Sequence, residues 1–400
     1  MTTFMNWKTF TFGHEVDRKS LTDSLIKIEA YKEAALNLVL PPVWSEQLDR
    51  LNRVRAIRGT TALEGNPLSE AEVSQQMKQL DNQAAGDSPD KMTKEQLQIR
   101  NAGMAQAWVR RRFIPGSPPL TAEDILKMHR MITQGSDTAN NEPGRWRTHP
   151  VQVGSKDLGG VHVGAPYADV PRLMNECVEA INSLRGREHA VIRALVAHFF
   201  IVTIHPFGDG NGRVSRLVEA GLLFREGYNV HGFYGLSNYF YQNEKRYKTL
   251  LQACRSRHPF DLTPFVLFGV EGFAHELKGI NNFIKTKLNR LVYRDAMVRA
   301  LDERVGSRRR LLNRREYSLL DFLLRETEPI DPFSEKPSRT INLSDFRGSP
   351  YVQGAYDDVT SRTFVRELVR LSNMGFITFK RNEAAKDWLV EIDFRAVGKY

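Results

Sequence analysis

The chain has 400 residues, 41% of them hydrophobic and 26% charged, which builds ordinary packed cores and excludes a disordered or fibrous protein. Its net charge of +10 favours acidic partners such as a nucleotide, a nucleic acid or an acidic protein face, and is equally compatible with a basic surface that has no specific partner. Two distant cysteines, Cys177 and Cys254, exclude a disulfide scaffold or a structural zinc site; with no apolar run near the roughly 20 residues that span a bilayer and no basic-then-apolar leader, the expectation is a cytoplasmic protein without membrane contact.

Residues 1–40 form an N-terminal segment that carries no readable pattern. From Ser45 the apolar residues Leu48, Leu51, Val54 and Ile57 recur at threefold spacing, a helical stripe running into RGTTALEGNP. Ser69 with Glu72, and Thr93 with Gln96, are capping boxes that open two further helices, the second ending near Phe113. The polar stretch 83–91 between them reads as a loop. This helical region, 41–115, ends at the Pro/Gly break FIPGSPPL. A central domain is expected over 116–305. Thr121 caps its first helix. VQVG and VHVG, separated by SKDLGG, read as a β-hairpin with a polar turn. Helices are then expected over 170–184, 188–204, from about 212 onward, and over 238–256, 261–276 and 278–301. The charge run 302–316 marks the next boundary. Beyond it, over 306–400, a helix at 314–325, a Pro-rich insert, a short helix near 343–346, an amphipathic helix at 358–374 and two strands outline a winged helix.

The segment that carries chemistry is HPFGDGNGRVSR, 205–216. An apolar helix runs into His205, and Pro206 stops it. Gly208, Gly210 and Gly212 let the backbone turn tightly and approach a ligand. A new helix starts at once, so the loop ends on free N–H groups at the positive end of a helix dipole, which is an anion site. Arg213 and Arg216 lie in that first turn, where cations are unfavourable unless a strongly anionic ligand such as a polyphosphate sits there. Asp209 is an oxygen ligand suited to Mg²⁺ beside phosphates. His205 is within reach as a general base. Singly, each residue reads as readily structural or solvent-facing. Together they specify a phosphate site with an adjacent base.

The same twelve residues match HxFx(D/E)GNGRxxR at every fixed position and so resemble the signature of the Fic family. GRWRTHPVQVG upstream is similar to the family's flap hairpin, and LSNYFYQNEKRYKTLL to the segment after its motif helix. The resemblance covers about 41–300 and implies a mainly α fold: a Fic-type helical bundle with a β-hairpin flap and a small C-terminal winged helix. It implies a protein adenylyltransferase, an enzyme that moves AMP from ATP to a Ser, Thr or Tyr hydroxyl of a target protein, its own chain included. His205 would be the base, Asp209 the Mg²⁺ ligand, and Asn211 with Gly210 and Gly212 the anion hole. Arg213 and Arg216 would hold the phosphates, with Phe207 anchoring the loop. Val151, Gln152, Val153 and Gly154 would dock the target segment, and Asn243 and Tyr247 would line the adenine and ribose pocket. TTALEG, 60–65, resembles the family's inhibitory motif, in which Glu64 would pair bidentately with Arg216 and take the γ-phosphate's seat. Two alternatives remain. One is a nucleotide-sensing DNA-binding regulator using Arg362, Arg366, Arg370, Lys380 and Arg381 of the C-terminal domain. The other is a Fic enzyme that transfers another phosphate-containing group or removes AMP. A regulatory homodimer fits the pattern, which specifies no interface.

Overall fold

Fifteen α-helices are formed among the described residues of the computed structural model, which are all except 1, 4, 83–91, 138–139, 229–234, 306–308, 330–339, 359 and 400. The loop expected at 83–91 and most of the Pro-rich insert therefore lie outside the described residues. The chain divides into two units, 1–277 and 278–400.

In the first unit the N-terminal segment is ordered. Strand β1 (Thr2–Thr3) and β2 (His14–Glu15) precede α1 (Arg18–Leu36), and Trp7 and Phe10 are buried. Then follow α2 (Pro42–Ala62), α3 (Glu70–Asn82), α4 (Lys94–Arg112) and α5 (Ala122–Thr133). Both expected capping boxes form: Ser69 exchanges hydrogen bonds with Glu72, and Thr93 with Gln96. The flap hairpin is β3 (Gln152–Ser155) and β4 (Gly160–Val163), paired antiparallel with Gln152 opposite Val163. β1 adds to β4 in parallel, giving the order β1-β4-β3. Gly154 must be glycine, because its φ is +99° and a Cβ would lie 2.6 Å from the Gly160 carbonyl oxygen.

Helices α6 (Val170–Ser183), α7 (Ala190–Ile204) and α8 (Asn211–Arg225) follow. α7 is buried along nearly its whole length, so it reads as apolar on every face. The expected helix 238–256 is broken at Asn243 into α9 (Ser237–Gln242) and α10 (Glu244–Cys254). After β5 (Phe260–Asp261), which pairs with β2, the two helices expected at 261–276 and 278–301 are one, α11 (Thr263–Asp302). The interior Gly279 costs the helix only about 1 kcal/mol, and the apolar spacing carries on through Ile280 and Ile284.

Gly59 is where α2 meets α9: a Cβ there would stand 2.7 Å from the backbone N and Cα of Asn238. Backbone cannot swing aside. Alanine would gain about 1 kcal/mol of helix propensity against a packing cost of about 1–3 kcal/mol. Gly59→Ala should therefore lower the thermal unfolding midpoint; an unchanged midpoint in calorimetry would show that α9 yields without cost.

The second unit carries β6 (Arg304–Val305), β7 (Arg309–Arg310), α12 (Arg314–Glu326), β8 (Thr340–Asn342), α13 (Leu343–Gly348), α14 (Pro350–Ala355), α15 (Ser361–Met374), β9 (Ile377–Asn382) and β10 (Asp387–Ile392). Its helices and a sheet of order β8-β10-β9 give the winged-helix outline, with β8 a third strand that the sequence pattern did not reveal. Leu319, Leu323, Phe364, Leu368 and Phe376 are buried in its core. Gly375 ends α15 in the left-handed region at φ +85°.

Candidate active site

The loop between α7 and α8 is held from several sides. Its first residue, His205, ends α7 with φ +55°, a conformation uncommon for a side-chain-bearing residue. Arg147, buried at the base of the flap, secures it: Nε donates to the His205 carbonyl at 2.7 Å, Nη1 to the His149 carbonyl at 2.7 Å, and Nη2 to the Ala165 carbonyl. Phe207 is the buried anchor expected. It lies between the His129 ring (centroids 3.7 Å apart, 8° between planes) and the Trp146 ring (5.1 Å). His129 accepts from the Gly144 N–H at Nδ1 (2.9 Å), so Nε2 carries the proton and donates to the Asp209 carbonyl at 3.1 Å. Burial lowers the pKa of that ring to about 4, which keeps the tautomer neutral and fixed.

Asn211 closes the loop: its Oδ1 accepts from the Phe207 N–H and its Nδ2 donates to the Phe207 carbonyl, both at 2.9 Å. The side-chain amide was expected in an anion hole; the structure engages both its ends with the loop backbone. The first turn of α8 offers N–H groups that have no intrahelical acceptors.

Arg213 is buried between two carboxylates, 2.6 Å from Asp137 and 2.8 Å from Asp209. Burial lowers its pKa, but Glu64, Asp137 and Asp209 outweigh that and hold it above its ordinary value. Asp137 accepts at 2.9 Å from Gln98, which accepts at 2.9 Å from Asn66. A buried polar chain thus links the turn after Glu64 to the first motif arginine. Arg216 is buried as well. Its Nε donates to Thr60 Oγ1 at 2.8 Å, and its Nη2 to the Thr60 carbonyl at 3.1 Å and to Glu64 Oε1 at 2.7 Å. The pair expected to be bidentate is therefore made through one carboxylate oxygen, because Thr60 takes the guanidinium's Nε. Burial raises the Glu64 pKa, yet Arg216 and Arg213 together bring it below the ordinary carboxylate range. The same Oε1 lies 2.5 Å from where a Cβ of Gly212 would stand, so the carboxylate rests directly on the start of α8.

A cavity of about 320 Å³ opens on this cluster, lined by Glu64, His205, Gly212 and Arg216, by the flap residues Val153 and Gly154, and on the far side by Tyr247, Lys248 and Arg255. Tyr247 stacks on Phe240 at 4.7 Å, and burial raises its hydroxyl pKa to about 12. Asn243 does not line the cavity; its amide donates to the Tyr239 carbonyl at 3.0 Å. Gln152 is exposed on β3, and Val151 packs its methyl near Gly164. His205 Nδ1 faces the Val202 carbonyl at 3.3 Å, which leaves Nε2 as an acceptor toward the cavity. Burial, reinforced by Arg255 and Arg147, lowers its pKa to about 4, so the ring is neutral at physiological pH.

For a metal, Asp209 offers a carboxylate 44% exposed, paired with the buried Arg213 and not among the residues that line the cavity. No group of three or more His, Cys, Asp or Glu side chains among the described residues could hold an ion unaided. One carboxylate beside a phosphate site fits Mg²⁺, which keeps waters and takes its remaining oxygens from substrate phosphates.

In the second unit, Arg370 is bound to Glu316 at 2.5 and 2.6 Å and to the Leu311 carbonyl, Lys380 pairs with Glu391, and Arg381 lies 5.5 Å above Trp388. Arg362 and Arg366 are exposed. No helix among the described residues is long and apolar enough to cross a membrane.

Residues 119–223 match the Fic/DOC family. The chain is 32% identical over 176 residues to protein adenylyltransferase Fic of Aedes aegypti, covering 44% of this chain and 33% of that protein. It is 32% identical over 170 residues to that of Drosophila ananassae, 42% of this chain and 31% of that one. It thus spans about a third of the length of the curated relatives it matches. Among solved structures, a Fic family protein from Desulfovibrio desulfuricans G20 aligns with TM-score 0.55 at 18% identity over 94% of this chain and 97% of that one. Fic-1 from C. elegans aligns with TM-score 0.53 at 23% identity over 68% and 73%. The fold is that of Fic proteins.

Proposed function

We propose that this chain, with its Fic/DOC domain at 119–223, is a protein adenylyltransferase that moves AMP from ATP to a hydroxyl side chain of a target protein and is restrained by Glu64. One observation carries the reading. A carboxylate of the chain itself already occupies the anion seat, 2.7 Å from Arg216 and resting on Gly212. Its oxygen stands in for a terminal phosphate oxygen.

The chemistry asks for positioning and charge neutralisation more than covalent catalysis. Arg216 grips the γ-phosphate once Glu64 yields. The N–H groups at the start of α8 and Arg213 hold the inner phosphates, Tyr247 borders the nucleoside, and β3 of the flap offers an edge for an extended target segment. Asp209 would hold Mg²⁺, which neutralises charge on the phosphates when bound. The target hydroxyl attacks the α-phosphorus and its proton passes to His205 Nε2. A new O–P bond forms, the bond from the α-phosphorus to the bridging oxygen breaks, and pyrophosphate leaves with that electron pair.

ATP labelled at the α- or the γ-phosphate tests this. α-Label should remain on protein, on this chain or a target in lysate, while γ-label should not. Retained γ-label would mean transfer of another phosphate group, and loss of AMP from a pre-modified target without any gain would mean that removal is the activity.

A further inference from the structure

Pro206 leaves one carbonyl of α7 without its helical partner. In a helix the Val202 carbonyl would accept from the N–H four residues on, at position 206, and proline has none. Val202 is buried and lines the cavity, so an unmet carbonyl there would be costly. Two side chains supply the donors instead. His205 Nδ1 reaches the oxygen at 3.3 Å, and Nη2 of Arg255, just past the end of α10, reaches it at 3.0 Å. A carbonyl oxygen has two lone pairs, and here each has a donor.

Arg255 is an expensive group for that task. It is 5% exposed, and its other hydrogen bonds go to Thr203 Oγ1 at 3.1 Å and Gln252 Oε1 at 3.4 Å. All its acceptors are neutral, and no carboxylate among the described residues pairs with it. Burial lowers its pKa to about 10, so it is charged at neutral pH. An amide or hydroxyl side chain would satisfy one carbonyl without burying an unpaired cation. What the guanidinium adds is its place, on the same oxygen as the His205 ring. The other charged groups about that ring are Arg147, which donates to the His205 carbonyl, and Glu64, Arg216 and Lys248, which line the same cavity. His162 of β4 is neutral, because burial lowers its pKa to about 3. Arg255 alone among these shares an acceptor with the ring.

We propose that Arg255 is a positioning residue for the base: by holding the Val202 carbonyl that His205 Nδ1 also uses, it locks the ring in one tautomer with Nε2 turned to the cavity. A carbonyl only accepts, so Nδ1 carries the proton and Nε2 is bare. The inference rests on the proposed function, because it treats His205 as the base. Burial, and then the cation beside the ring, disfavour an imidazolium, in keeping with the ring pKa of about 4.

The test reads the ring directly, by nitrogen NMR of the chain labelled at histidine, with His205→Ala identifying the signals. Before any change at 255, Nδ1 should be protonated and Nε2 bare at neutral pH, with a pKa of about 4. Arg255→Met should mix the tautomers and raise that pKa by about one unit or more. Arg255→Lys, which keeps the charge and can donate to Val202, should hold both. Transfer of α-label, measured alongside in the Glu64→Gly background, should fall about 10–100-fold in the methionine variant, as for a misplaced reacting group, and largely recover in the lysine variant. Should Arg255→Met not fold, Arg255→Gln, which keeps an amide donor but no charge, decides by the pKa alone. A pKa and tautomer unmoved in the uncharged variants, with or without a loss of rate, overturn the inference alone, because a mere cap on α7 would change stability and leave the ring as it was. A ring protonated at Nε2 before any change at 255 does the same. A Glu64→Gly chain that transfers no α-label overturns the proposed function, and with it the base role on which the inference rests.

Discussion

Glu64→Gly should raise the rate of α-label transfer by about one to two orders of magnitude. The carboxylate is charged, because Arg216 and Arg213 hold its pKa low, and it contacts Arg216 at 2.7 Å. A hydrogen bond to a charged partner is worth about 1.5–3 kcal/mol net, which is roughly a 10–100-fold population of the closed seat. Glycine removes the occupant and leaves Thr60 to steady Arg216. The turn tolerates the change, since Glu64 lies past the end of α2 rather than inside it. Initial rates with saturating Mg·ATP are the measurement. Equal rates for parent and variant would mean that Glu64 closes its turn and restrains nothing.

His205→Ala in that activated background should lower transfer by about 10²–10⁴-fold, the usual contribution of a general base, with Mg·ATP affinity nearly unchanged. Alanine is also strained at φ +55°, by about 1–2 kcal/mol. His205→Gly, which is at ease there, should show the same loss of rate and separates chemistry from strain. The pH profile gives a second check. The free ring titrates near 4, so kcat/KM should hold level down from neutrality and fall only as the pH approaches that value and the base becomes protonated. An acid limb centred near 6.5, or an alanine variant that still transfers label, would assign the proton to another group.

Much of this site is legible from one dozen residues because the chemistry is packed into consecutive positions at a helix start. His205 and Arg216 line one cavity, and Asp209 pairs with Arg213 on the same loop and first turn, because the loop is short and α8 begins at once. Glu64 is readable only by resemblance, since nothing local ties the end of α2 to an arginine 152 positions away. The supports were invisible for the same reason. Asp137, His129 and Arg147 each make one decisive contact across the fold, and no periodicity marks such a residue. Asn211, a residue type suited to an anion hole, also spans the Phe207 backbone with both ends of its amide, a contact the sequence does not mark. The N-terminal segment gave no pattern because its order comes from partners elsewhere in the chain, β4 and β5.

Gly212 has two guests. The absent methyl group lets Glu64 come to 2.5 Å from where that methyl would be, and on the proposed function it lets a nucleotide's phosphate come as close. On the proposed function, any side chain at 212 would evict regulator and substrate alike. Restraint could then not be graded from the loop that does the chemistry; it would be adjustable only from the α2 side, through Thr60, Glu64 and whatever tilts that helix end.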